Sequence, residues 1–110
     1  MKTISKKLVT LVLGEDDYRI SKMDKERDIN ISGNTVYIPT TYGSSEINLD
    51  TFARLCKEWC LEQDEELMSG MRFGSWTCID GNDMNTETSD TEVEAIIKAT
   101  EWVAKEKGLI

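Results

Sequence analysis

The chain has 110 residues, of which 39% are apolar and 31% charged, with 13 basic and 21 acidic groups, a net charge of −8 and no histidine. That balance describes one folded domain over residues 1–110 rather than a disordered tail. It excludes direct nucleic-acid binding, which needs clustered Lys and Arg, and the missing histidine removes the commonest general base and every Ser–His or Cys–His pair.

Charge is unevenly spread. Residues 1–22 carry five basic and three acidic groups, whereas residues 79–110 carry three basic and eight acidic. An acidic surface of this kind draws a basic partner by electrostatic steering. Three cysteines, Cys56, Cys60 and Cys78, make an odd set in a chain whose only N-terminal apolar run, Leu8 to Leu13, is too short for a signal peptide or a membrane span. A cytoplasmic, reducing setting follows as the expectation, with no membrane partner.

In chain order, residues 3–13 are rich in Val, Leu, Ile and Thr and read as a buried strand ending at Gly14. Tyr18 to Met23 reads as a second strand. "DINISGNTVYIP" is a hairpin signal: a two-residue turn at Gly33-Asn34 pairs Ile31 with Val36 and Ile29 with Ile38, and places all four on one face. Glycine at the first turn position suits type II′. Pro39 is expected to end that strand, with "TTYGSS" as a loop.

Asn48 or Asp50 caps a helix predicted to reach about Met68, with Ser69-Gly70 as its stop. Phe52, Leu55, Cys56, Trp59, Cys60, Gln63 and Leu67 form its apolar stripe. Glu58, Glu62 and Glu65 form a second stripe that faces water. Met71 to Ile79 reads as one strand. A last helix starts at Ser89 or Thr91, each of which begins a capping box, Ser89-x-x-Glu92 and Thr91-x-x-Glu94. Val93, Ile96, Ile97, Thr100, Val103 and Ala104 face the core. Glu94, Lys98, Glu101 and Lys105 make a charge ladder on its flank.

"GNDMNTETSDTE", residues 81–92, is acidic and hydroxyl-rich, with no basic group. Counted from Asp83 it offers oxygen ligands at alternate places, as a calcium loop does, but Thr88 stands where the sharp turn needs Gly, and a strand precedes it where a helix is required. Turn chemistry and helix capping account for the segment better. Two cysteines one helical turn apart, with a third elsewhere and no histidine, fall short of the four ligands of a structural zinc. We therefore expect buried cysteines, no metal and no cofactor. Gly70-x-x-x-Gly74 lacks the Lys-Ser/Thr of a phosphate loop. No nucleophile–base pair stands out, so no catalysis is expected.

The candidate binding residues are apolar groups set among acids. Trp102 lies about 180° round the last helix from Val93, Leu109 projects near the same side, and Leu61 lies opposite Phe52. Together with Glu58, Glu62 and Glu65 they outline a partner-binding surface, and Trp102 also offers a contact for a homo-oligomer.

The expected architecture is α+β: an antiparallel or mixed sheet of 4–5 strands with two helices packed on it, in the order β-β-β-β-α-β-α. The expected function is non-catalytic: a protein-binding module, or a small inhibitor of a basic partner in the manner of phage inhibitors of bacterial defence complexes such as anti-CRISPR or anti-restriction proteins. A nucleic-acid mimic, and a small enzyme or metal-binding domain, are the alternatives.

Overall fold

The computed structural model describes residues 2–14, 28–40, 43–72, 74–80 and 86–110. It is α+β, and every strand pairing among the described residues is antiparallel. The chain divides into two compact units, residues 1–52 and 53–110. The single expected sheet resolves into two, of four and three strands, and there are three helices among the described residues.

The first unit holds β1 (Thr3–Ile4), α1 (Lys6–Leu13), β2 (Ile29–Ser32), β3 (Thr35–Thr40) and β4 (Gly43–Asn48), with sheet order β1-β2-β3-β4. The hairpin register is as expected: Ile31 faces Val36 and Asn30 faces Tyr37. Gly33 has φ +59 and opens the turn. Ile29, Val36 and Ile38 are buried, whereas Asn30 and Tyr37 are exposed. This alternation lets a period of two separate core from solvent.

Three expectations for this unit are corrected. Residues 3–13 are not one strand, because only Thr3–Ile4 pair and Lys6–Leu13 are helical. A continuous apolar run fits both periods, and here Leu8, Val9 and Leu13 meet the core as one helical face. Pro39 does not end β3, which continues to Thr40 with Pro39 opposite Ser44. The β2 register reaches only Tyr37, so Pro39 has a ladder neighbour on one side alone, a position where a missing N–H is tolerated. "TTYGSS" is not simply a loop, since its Gly43 begins β4. The expected strand at Tyr18–Met23 lies outside the described residues.

α2 (Leu49–Glu62) is capped by Asn48, whose Oδ1 accepts from the N–H of Asp50 at 2.9 Å and Thr51 at 3.4 Å. The division between the units falls inside it, after Phe52. It stops at Glu62, not Met68. Asp64 adopts φ 61, the N–H of Glu65 reaches the carbonyl of Cys60 at 2.9 Å, and the N–H of Asp64 reaches that of Leu61 at 3.0 Å. This is a Schellman ending, and it leaves Leu67 to Met71 available for a strand.

The second unit then adds β5 (Leu67–Arg72), β6 (Ser75–Asp80), β7 (Thr86–Ser89) and α3 (Glu92–Glu106), with sheet order β5-β6-β7. The strand expected over Met71–Ile79 is therefore a hairpin. Arg72 pairs with Ser75 across a two-residue turn whose Gly74 has φ +81. Ser69 and Gly70, expected to stop a helix, lie inside β5. Ser89 closes β7 rather than capping a helix. Thr91 is the N-cap, its side chain accepting from the N–H of Glu94 at 3.2 Å, a bond typically worth ~1 kcal/mol. α3 packs on all three strands of this sheet through Ala95, Ile96, Ile97, Ala99, Val103 and Ala104. Its ladder pairs form as spaced: Glu94 to Lys98 at 3.7 Å and Glu101 to Lys105 at 3.0 Å. Among the described residues no helix is long and apolar enough to cross a membrane.

Candidate functional site

All six candidate binding residues fall in the second unit. On α2, Glu58, Leu61 and Glu62 are exposed. Their spacing of three and four places them on adjacent turns of one face. Leu61 is 58% exposed between the two acids. Glu58 also lies 4.0 Å from Arg54, and both side chains are mostly in water, so that pair adds little.

Glu65 departs from the expected row. It lies beyond the helix end, its side chain is only 13% exposed, and its Oε1 lies 3.6 Å from Lys107 Nζ. The reason is the Schellman turn: once Asp64 reverses the chain, the 100° step that would align Glu65 with Glu62 no longer applies. Instead Glu65 draws the C-terminal ends of α2 and α3 together.

α3 ends in the same way as α2. Gly108 has φ +69, its N–H reaches the Lys105 carbonyl at 3.0 Å, and the N–H of Leu109 reaches that of Ala104 at 2.9 Å. Leu109 is 45% exposed. Trp102 is half-buried, not displayed wholly to solvent as its position opposite Val93 implied. A helix wheel reports the direction of a side chain, whereas a ring as large as indole covers neighbouring surface whatever its direction.

A polar relay joins α2, β5 and α3. The Ser69 hydroxyl donates to Glu92 Oε1 at 2.8 Å and accepts from Lys57 Nζ at 3.3 Å. A hydroxyl can do both at once, so it satisfies two opposite charges from one strand position. Nearby, Cys60 Sγ lies 3.8 Å from Thr100 Oγ1, and that hydroxyl donates to the Ile96 carbonyl at 2.8 Å. Cys56, Cys60 and Cys78 are buried thiols. Burial pushes the Cys56 thiol well above its ordinary pKa, Thr100 offsets part of this by hydrogen bonding, and Cys60 adds to it. Such a thiol is a poor nucleophile and a poor metal ligand.

Of the oxygen ligands in the calcium-like spacing, Ser89 lies in β7 and the Thr91 hydroxyl serves as the α3 cap. Asp83 and Asn85 lie outside the described residues. Two exposed apolar residues escaped the sequence reading. Met68 and Met71 on β5 are 54% and 62% exposed. Their signal was Gly74, since an isolated glycine within an apolar strand pattern marks a bulge or turn. With a turn there, both methionines belong to an outer strand.

No protein-family model matches the chain, and no curated protein or solved structure matches it significantly either.

Proposed function

We propose that the protein is a non-catalytic binding module, or small inhibitor, that meets a basic protein partner through the outer face of α2. The observation that supports this reading is Leu61, largely exposed between Glu58 and Glu62. A branched apolar side chain flanked by carboxylates gives one desolvated contact inside a charged rim, the arrangement in which a contact gains affinity while the rim gains association rate. Leu109 and the open part of Trp102 extend the apolar contribution from α3. A homo-oligomer through Trp102 has only that open part to use. The buried thiols suit a reducing compartment, and we place the protein in the cytoplasm. Inhibition of a nucleic-acid-handling defence complex, by covering a basic channel of its protein, is the finer form of the proposal and rests on size and charge alone.

The test is affinity capture from the native host, followed by binding kinetics on the captured partner. Glu58→Lys with Glu62→Lys lowers the association rate, and added salt lowers it in the unchanged protein. Leu61→Ala raises the dissociation rate. Unaltered kinetics in all three would place the interface elsewhere. A captured partner that is acidic would remove the electrostatic part of the proposal.

A further inference from the structure

Among the described residues, the second unit carries one sheet edge without the usual protections. β5 is the outer strand of the β5-β6-β7 sheet, and six consecutive residues pair with β6 without a bulge. The two-residue turn makes Arg72 and Ser75 the bonded closing pair. By alternation Gly70 and Met68 bond inward, and Leu67, Ser69 and Met71 turn their N–H and C=O groups away from β6. The Thr77 hydroxyl donating to the Gly70 carbonyl at 3.1 Å fits that inward direction. Among the described residues, no backbone hydrogen bond outside the sheet involves Leu67, Ser69 or Met71.

Other edges carry the usual protections. β1 is two residues long, β7 is four and contains Glu87, and β4 is polar with Glu46. β5 has no proline and no charge before its last residue, and it exposes two methionines.

We propose that β5 pairs antiparallel with β5 of a second copy of this chain, on a two-fold axis at Ser69, joining two three-stranded sheets into one of six strands. Only pairings between residues of like parity keep the two faces of the sheet continuous, so the axis falls on Ser69 or on Gly70. An axis at Ser69 sets Glu66 opposite Arg72 of the second copy, twice by symmetry, which is the charge complementarity that selects it over Gly70. It also makes Ser69 with Ser69, and Leu67 with Met71, the bonded pairs, using the three residues whose backbone groups point outward. Met68 then stands opposite Gly70 of the second copy at a close, non-bonded pair. A Cβ on Gly70 would meet nothing within 4 Å, so the thioether has room there. The second copy is favoured over a foreign strand because the flanking charges of β5 are complementary to β5 itself. None of the six candidate binding residues lies in β5.

Sedimentation equilibrium of the full chain tests the pairing. The unchanged protein shows a monomer–dimer equilibrium in the micromolar to millimolar range of a small interface. Met71→Pro removes an N–H that points outward and spares the β6 ladder, so it yields a folded monomer by circular dichroism. Glu66→Arg alone weakens the dimer about tenfold, by setting like charges opposite each other, and Glu66→Arg with Arg72→Glu restores it. The charge pair decides the matter even should the proline variant fail to fold. A monomer up to about 1 mM overturns the proposal. So does a dimer that persists in folded Met71→Pro, or a charge-swapped protein that stays as weak as the single variant.

Discussion

Cys56 and Asp64 show how much one side chain's surroundings decide. Cys56 shares the α2 stripe with Trp59 and Cys60 and is fully enclosed, and its raised pKa keeps the thiol protonated at neutral pH. We therefore expect it to react with a thiol reagent only after denaturation, with a native rate slower by orders of magnitude. Prompt native labelling, located by peptide mass, would contradict its enclosure. Asp64 holds φ 61 at the close of α2, and Gly108 holds φ +69 at the close of α3. The two positions do the same backbone task with different residues. The left-handed region strains a residue with a Cβ, less so for Asp than for most. Asp64→Gly should accordingly raise stability by about 0.5–1 kcal/mol, read as a higher denaturant midpoint. A lower midpoint would show that the Asp64 carboxylate contributes more than its backbone costs.

Elements were legible where local chemistry and burial agree. The β2–β3 hairpin has a turn that demands Gly33, and its register buries Ile29, Val36 and Ile38 together. A Cβ at Gly33 would meet no atom within 4 Å, so any cost there is conformational and not steric. Gly33→Val should lower stability by about 1 kcal/mol or more without abolishing the fold. An unchanged urea midpoint would mean that the turn does not depend on positive φ. The Glu94–Lys98 and Glu101–Lys105 pairs belong to the same legible class, because each lies within four residues of its partner, whereas Asp50 beside Asn48 and Ser89 beside Thr91 were equal cap candidates until the fold chose between them. The β5–β6 hairpin carried only one weak local signal, Gly74, because the sequence between Arg72 and Ser75 lacks the Asn-Gly or Asp-Gly chemistry that announces a two-residue loop.

Across the whole molecule, −8 is a large charge for 110 residues. Like charges repel one another in the compact state, and salt screens that repulsion. The melting temperature should therefore rise between about 0.01 M and 0.15 M sodium chloride, over which the Debye length falls from about 30 to 8 Å. A flat response would mean that the local pairs on α3 and between Glu65 and Lys107 already balance the field. The candidate binding surface divides in the same way. Glu58, Leu61 and Glu62 could be placed from helical spacing alone, whereas Met68 and Met71 became surface residues only with the hairpin.

What the sequence determined by itself is short-range. The α+β class, the Gly33-Asn34 turn with its register, two candidate caps for each of α2 and α3, most of the α3 core stripe and the inward place of the cysteines all follow from residues a few positions apart, or from a period that only one element fits. Tertiary structure decided the rest. Leu8 to Leu13 fits either a strand or a helix, and the burial of Leu8, Val9 and Leu13 on one helical face settled it. Leu67 would serve the α2 stripe as well as a strand, and Schellman bonding at Asp64 together with the β6 ladder released it from the helix. Glu65 left the acidic row for Lys107, a residue 42 positions away that no local pattern could have supplied. Propensity weighs tenths of a kcal/mol per residue, and a long-range pairing outweighs it wherever the local preferences are nearly balanced.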